Sequence, residues 1–218
     1  MLIEDYNVPA NKIIMLYNSI EPLNNDFGVN KESLRDKLGI PSNSKIVLFL
    51  GRISKIKGID LLIDAFKIVQ AQRTKLFLLI VGQIYDKRLK HVLNNLPFNI
   101  KLIDPVRDPY PFYSLADIIV LPSREDPYPY VMLESGLFKK PFIGTNTGGI
   151  AEFIDDNVNG LLFKNGSVNQ LVEKINYILD NPEEAKIFGE NLYSKVEKKI
   201  SDDHYFQSID NIYNELNS

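Results

Sequence analysis

PSREDPYPYVMLESGLFKKPFIGTNTGGIAE, residues Pro122–Glu152, brings two carboxylates, a helix start and a paired-glycine turn into one stretch. Seven residues separate Asp126 from Glu134. Pro127 and Pro129 keep Asp126 on a loop, because neither ring tolerates a helix interior, and Pro129 suits the first helical position. A helix beginning near Tyr130 places Glu134 about one turn inside it. Its unpaired N–H groups and positive dipole end then face whatever Asp126 faces, which suits a phosphate next to a diol-binding carboxylate.

Working outward, short apolar runs bounded by turn residues recur at Ile13–Leu16, Ile46–Leu50, Leu76–Val81, Ile100–Ile103, Ile118–Leu121, Phe142–Gly144 and Leu161–Phe163. Each is strand-sized. Segments with helical spacing lie between several of them, as in GIDLLIDAFKIVQ with Ile59, Leu62, Ile63, Phe66 and Val69. Alternating strands and helices predict a parallel sheet covered on both faces. The unbroken apolar character of LFLLIV and DIIVLP supports strands buried on both sides. The fold class is therefore α/β, a doubly wound, Rossmann-like parallel sheet with additional C-terminal helices over Val168–Leu179, Pro182–Lys198 and His204–Leu216. Tyr205, Ile209, Ile212, Tyr213 and Leu216 form an amphipathic face, expected to pack on the sheet unit or on something outside this chain. A short helix is expected at Lys31–Leu38, ending at Gly39.

With 218 residues and 44% apolar content, the prior is one domain. Its parts are an N-terminal strand and polar loop (1–44), a Rossmann-like core (45–166) and C-terminal helices (167–218). A net charge of −3 speaks against a nucleic-acid partner. The chain has no cysteine, so disulfides and thiolate metal sites are excluded and no metal is expected. The N-terminus, MLIEDYNVPANK, lacks the basic-then-apolar order of a signal peptide, and no apolar run approaches the ~18 residues that span a bilayer. A soluble, cytoplasmic chain is expected.

Ligands of doubly wound sheets bind beyond the carboxyl ends of the strands. After Ile46–Leu50 comes GRISKIKG, where Gly51 permits close backbone approach and Arg52 and Lys57 flank a turn into a helix. Two cations there suit a diphosphate, Arg52 as a planar fork and Lys57 as a point charge. An ordinary solvated loop would also contain them. Gly82 ends the next strand, either for a ligand or for the turn itself. In TNTGGIAE, Gly148 and Gly149 expose N–H groups that could hold an anion, and Glu152 falls in the first turn of the following helix, as a ligand contact or as a complement to its N-terminus. Tyr128 and Tyr130 stand beside Asp126 as ligand contacts, whereas Tyr110, Phe112 and Tyr113 read as a cap on the sheet edge. His91 and His204 read as surface or packing residues. No Ser/His/Asp arrangement, GxxxxGK[ST] loop or paired-His spacing occurs.

In that order, GRISKIKGIDLLIDAF, LFLLIVG, YSLADIIVLPSREDPYPYVMLESGLFKKPFIGTNTGGIAEFI and NGLLF resemble the C-terminal, donor-binding half of retaining GT-B glycosyltransferases of the family 4, or group 1, type. The resemblance spans roughly residues 12–215. It implies that Arg52 and Lys57 hold the donor diphosphate and that Asp126 meets the donor sugar's hydroxyls. Glu134 would accept from the ribose, and backbone N–H groups around Tyr128, Pro129, Tyr130 and Val131 would meet phosphate or sugar. Asp126 replaces a usual glutamate, DPYPY replaces a usual glycine-rich turn, and Glu125 is the alternative carboxylate if the loop register shifts by one.

The implied activity is transfer of a hexose from a nucleoside-diphosphate sugar to an acceptor hydroxyl in polysaccharide or glycoconjugate synthesis, with no metal or other cofactor. Catalysis would be electrostatic, through Arg52, Lys57 and Asp126. NKIIMLYNS (residues 11–19) resembles the segment after the interdomain crossover. The resemblance thus implies a separate N-terminal acceptor domain or partner chain, which leaves room for peripheral membrane association through that domain. Alternatives are a nucleotide-sugar-binding subunit inactive without a partner, or an epimerase or phosphorylase of the same architecture.

Overall fold

A computed structural model describes residues 6–21, 30–201 and 205–216. Strands β1 (Lys45–Leu50), β2 (Leu76–Val81), β3 (Ile100–Ile103), β4 (Ile118–Leu121), β5 (Phe142–Thr145) and β6 (Leu161–Phe163) form one sheet. Their spatial order is β3-β2-β1-β4-β5-β6, and every neighbouring pair is parallel. The order reverses between β1 and β4, the switch point at which such sheets open a crevice. All of β2, β4 and β5 is buried, while the edge strands β3 and β6 are partly exposed. This is the doubly wound fold that the uninterrupted apolar runs imply.

Helices form where the apolar spacing places them. Helix α1 (Lys31–Leu38) starts at Asn30, whose side chain accepts the Ser33 N–H at 3.0 Å, and stops at Gly39 with φ 64°. Helix α2 (Ile59–Gln70) buries Ile59, Leu62, Ile63, Phe66 and Val69 against the sheet. A single turn, α3, covers Lys90–Leu93, with His91 exposed. Helices α4 (Tyr110–Leu115), α5 (Tyr130–Leu137) and α6 (Gly148–Phe153) follow β3, β4 and β5, and α7 (Val168–Asp180), α8 (Pro182–Ser201) and α9 (Tyr205–Leu216) complete the chain. His204 lies outside the described residues. On α9, Tyr205, Ile209 and Ile212 are half-buried and Tyr213 is exposed.

One strand expectation fails. Ile13–Leu16 forms no strand; the segment is irregular after a 3-10 turn at Ala10–Lys12, and Ile14 and Met15 are exposed. Its apolar residues are strand-like in composition but make no ladder among the described residues.

Helix α8 packs on α5 through Leu192 and Val196, both buried. The approach is at backbone distance. A Cβ on Gly136 would stand 2.7 Å from Val196 Cγ2, and one on Gly189 would stand 2.2 Å from the Lys139 carbonyl oxygen.

Beyond α5, Lys140 Nζ donates to the Ser114 carbonyl at 3.1 Å, and burial pushes its pKa down from 10.5 to about 8. The folded value lies below the unfolded one, so between about pH 8 and 10.5 the unfolded chain binds more protons. Stability linked to this group therefore rises with pH across that window. We expect Lys140→Met to lack up to about 3 kcal/mol of rise, measured by urea unfolding of both proteins at neutral and alkaline pH. Parallel pH dependence in the two would remove the assignment.

Candidate functional site

A cavity of about 970 Å³ opens at the carboxyl ends of β1, β2 and β3, with α4 and α5 on its other wall. Gly51 and Arg52 enter it from β1, Gly82 from β2, Tyr110 from α4 and Glu134 from α5. Gly51 has φ 143° and open space where a Cβ would stand. At Gly82, φ is 152° and a Cβ would lie 1.9 Å from the Gly51 carbonyl oxygen. Backbone packing alone thus accounts for Gly82, whereas Gly51 faces room. The Arg52 guanidinium sits 5.7 Å from the centroid of the Tyr85 ring, at cation–π range.

Lys57 and Asp126 are not among the residues lining this cavity; they meet each other on the loops after β1 and β4. Lys57 Nζ donates to Asp126 Oδ2 at 2.5 Å, and the two side chains are only 16% and 5% exposed. Ser123 Oγ donates to the same carboxylate oxygen at 3.2 Å. Two charges this dry are held by each other, because either alone would remain buried without compensation.

The two loops that carry them are stapled by Arg124. Its N–H donates to the Ile56 carbonyl at 2.7 Å, and its guanidinium binds both oxygens of Asp60 at 2.8 and 2.9 Å and also reaches the Lys55 carbonyl. Gly58, at φ 71°, passes so close that a Cβ would be 1.8 Å from the Pro122 carbonyl oxygen. Arg124 carried no functional reading in the sequence. Its position inside PSRED, between a strand end and a site carboxylate, was the available signal.

Helix α5 begins at Tyr130 with Pro129 as its N-cap in extended conformation, one position earlier than the first helical residue. The amides of Tyr130 and Val131 take no backbone carbonyl as partner among the described residues, leaving the helix N-terminus available to an anion. Tyr130 is half exposed, while Tyr128 is 8% exposed and packs between Tyr17 and Phe153, with centroids at 4.8 and 5.8 Å. In this arrangement Tyr128 is a packing residue.

Gly148 and Gly149 serve the same loop. A Cβ on either would lie 2.3 or 2.0 Å from the carbonyl oxygen of Asp126 or Pro127, respectively, and the Gly149 N–H donates to the Asp126 carbonyl at 3.1 Å. The expectation that this N–H is exposed for an anion is corrected: the loop has already taken it. Glu152 falls in the second turn of α6, not the first, and accepts the Tyr17 hydroxyl at 2.9 Å. Glu125 is exposed.

Glu134 is half-buried on the cavity wall. Tyr113 Oη donates to its Oε2 at 2.5 Å. Burial pushes the Glu134 pKa up and the phenol's hydrogen bond opposes that rise; desolvation, followed by the neighbouring carboxylate, holds the Tyr113 phenol well above its ordinary value. Phe112 and Tyr113 are buried, but Tyr113 also reaches the site, which the sheet-edge reading missed.

Residues 30–195 match the family model for glycosyl transferases group 1. The chain belongs to that family. It corresponds to the C-terminal, donor-binding domain of the GT-B fold. It is 32% identical over 212 residues to an uncharacterized glycosyltransferase of Methanocaldococcus jannaschii, covering 94% of this chain and 54% of that protein. It is 27% identical to the capsular polysaccharide biosynthesis glycosyltransferase CapM of Staphylococcus aureus, covering 86% and 51% of the two chains. A glycosyltransferase structure from Rickettsia africae superposes with a TM-score of 0.84 at 26% identity, over 98% of this chain and 60% of that one. This group 1 chain thus spans about half the length of the curated relatives it matches. Among its described residues no group of three or more His, Cys, Asp or Glu could hold a metal ion, and no helix is long and apolar enough to cross a membrane.

The buried pair gives a measurable expectation. Lys57→Ala and Asp126→Asn should each destabilise the ligand-free chain by about 2–4 kcal/mol, and the double variant should lose much less than their sum. Additive losses in denaturant unfolding would show that the two charges do not hold each other.

Proposed function

We propose that this chain is the donor-binding half of a retaining glycosyltransferase that moves a hexose from a nucleoside-diphosphate sugar to an acceptor hydroxyl in polysaccharide or glycoconjugate synthesis. The observation that carries this reading is the cavity at the switch side of the sheet, which gathers Gly51, Arg52, Gly82 and Glu134 on one wall system. The Lys57–Asp126 pair joins the loops after β1 and β4, and the open end of α5 lies one turn before Glu134, which lines the cavity.

In this reading the nucleoside lies in the cavity with its ribose hydroxyls on Glu134. The diphosphate runs past Gly51 to Arg52, Lys57 and the Tyr130 and Val131 amides, and the sugar reaches Asp126. Negative charge grows on the leaving diphosphate as the glycosidic bond breaks. Fixed cations and helix-end dipoles in a partly dry site stabilise that charge more than they stabilise the bound donor, which is how they lower the barrier. The acceptor side would come from a second domain or chain. A subunit that binds the donor and acts only with a partner is the second reading, favoured by exposed Ile14 and Met15 next to the segment that reaches the site through Tyr17 and Asn18.

Calorimetric titration with UDP, GDP and ADP and their sugar conjugates, in EDTA, tests this. One diphosphate should bind selectively. Arg52→Ala should then weaken it by about 1–3 kcal/mol, the usual cost of a lost charge-assisted contact. Unchanged affinity in both Arg52→Ala and Lys57→Ala would remove the diphosphate assignment, and binding lost in EDTA would overturn metal-independent donor binding.

A further inference from the structure

We propose that Tyr113 is a positioning residue of the nucleotide site, whose buried phenol ties down one oxygen of Glu134 and so presents the other to the ribose diol. This rests on the reading of Glu134 given above. Tyr113 has no exposed surface and is absent from the cavity wall, so it touches no ligand itself. Its effect must pass through Glu134, the side chain that accepts its hydroxyl at 2.5 Å.

The ring is fixed from behind. Tyr113 stacks on Phe138 at 5.4 Å with an interplanar angle of 16°, and Phe138 in turn leans on Tyr110 at 5.6 Å. Tyr110 lines the same cavity as Glu134. A glutamate side chain otherwise loses rotamer freedom when a ligand orders it, and a donor anchored in the core removes that cost beforehand. With Oε2 taken by the phenol, Oε1 accepts nothing among the described residues.

The phenol also biases protonation. A carboxylate accepts from both hydroxyls of a diol, whereas a protonated acid must spend a proton as donor. Burial favours the protonated form of Glu134, and the Tyr113 hydrogen bond favours the anion. The other charged or titratable groups facing this cavity are Tyr110 on α4, Arg107 and Asp108 before it, Arg52 after β1, Tyr85 after β2 and Glu21. The hydrogen bond described at the Glu134 carboxylate comes from Tyr113, while the Tyr110 phenol feels the Glu134 charge, which adds to burial in raising its pKa.

Tyr113→Phe keeps the ring and its stack and deletes one oxygen. Wild type and variant are titrated with UDP, GDP and ADP, and with the 2′,3′-dideoxy form of whichever binds most tightly. Wild type should prefer the ribonucleotide by roughly tenfold or more, the range for hydrogen bonds to a charged group. The variant should lose at least about threefold of that preference while its dideoxynucleotide affinity stays in place. Adding Tyr113→Phe to Glu134→Gln should cost nothing further. An unchanged preference in Tyr113→Phe overturns the proposal.

A carbon-13 titration of the Glu134 carboxyl needs no ligand, and its midpoint should rise in Tyr113→Phe. A midpoint that does not move overturns the positioning role independently. Should the variant not fold, 3-fluorotyrosine at position 113 supplies a stronger donor and should lower the midpoint, and no movement there is equally decisive. Failure of wild type to bind any of the nucleotides overturns the nucleotide reading, and the ribose half of this proposal with it. The carboxyl titration then decides the Tyr113–Glu134 link alone.

Discussion

Two loops that leave the sheet on either side of its reversal point are pressed together at backbone distance, and the rest of the site hangs on that contact. The loop after β1 passes the loop after β4 with room only for a glycine, since a Cβ on Gly58 would overlap the Pro122 carbonyl. Arg124 closes the junction by bonding to Ile56, Lys55 and Asp60. Because the loops are this close, Lys57 and Asp126 can pair although sixty-nine positions separate them. A doubly wound sheet opens its crevice at such a reversal; here the crevice floor is stitched before any ligand arrives.

That stitching sets the electrostatic character of the site. Lys57 is already neutralised by Asp126, while Arg52 rests against an aromatic face and the first amides of α5 remain without backbone partners among the described residues. On the proposed reading, an arriving diphosphate is met first by Arg52 and the helix end, and Lys57 must be shared with a carboxylate. Asp126, one methylene shorter than the usual glutamate of the resemblance, is short enough to sit on the lysine. The choice of sugar would then depend on whether its hydroxyls can replace part of that pair.

The sheet was legible because burial on both faces leaves an uninterrupted apolar run, as in Leu76–Val81, that nothing else of that length explains. Helix ends were legible where a single residue fixes them: Gly39 after α1, and the proline pair before Tyr130; the Asn30 cap of α1 came only from the structure. Ile13–Leu16 misled, since apolar composition reports a wish to be covered and says nothing of hydrogen-bond partners. Gly148 and Gly149 misled for a related reason. Their spacing announces a tight approach, yet the approaching group is the chain's own Asp126–Pro127 backbone. Tyr113 was invisible as a site residue because its partner lies twenty-one positions away, across a strand and on another helix, and no local period encodes that meeting.

The contact between α5 and α8 has a bearing on how such a site can be altered. Gly136 lets α5 touch side chains of α8, Gly189 lets α8 touch the backbone of the turn that follows α5, and Glu134 stands two positions before Gly136 on the same short helix. A methyl group added at Gly189 would meet backbone, the Lys139 carbonyl at 2.2 Å, and could not be absorbed by turning a rotamer, whereas one at Gly136 would press first on the Val196 side chain at 2.7 Å. The helix that carries Glu134 is therefore seated by residues that do not line the cleft. Selection or an engineer could retune the donor wall there, by a fraction of an ångström, without changing any residue that lines it.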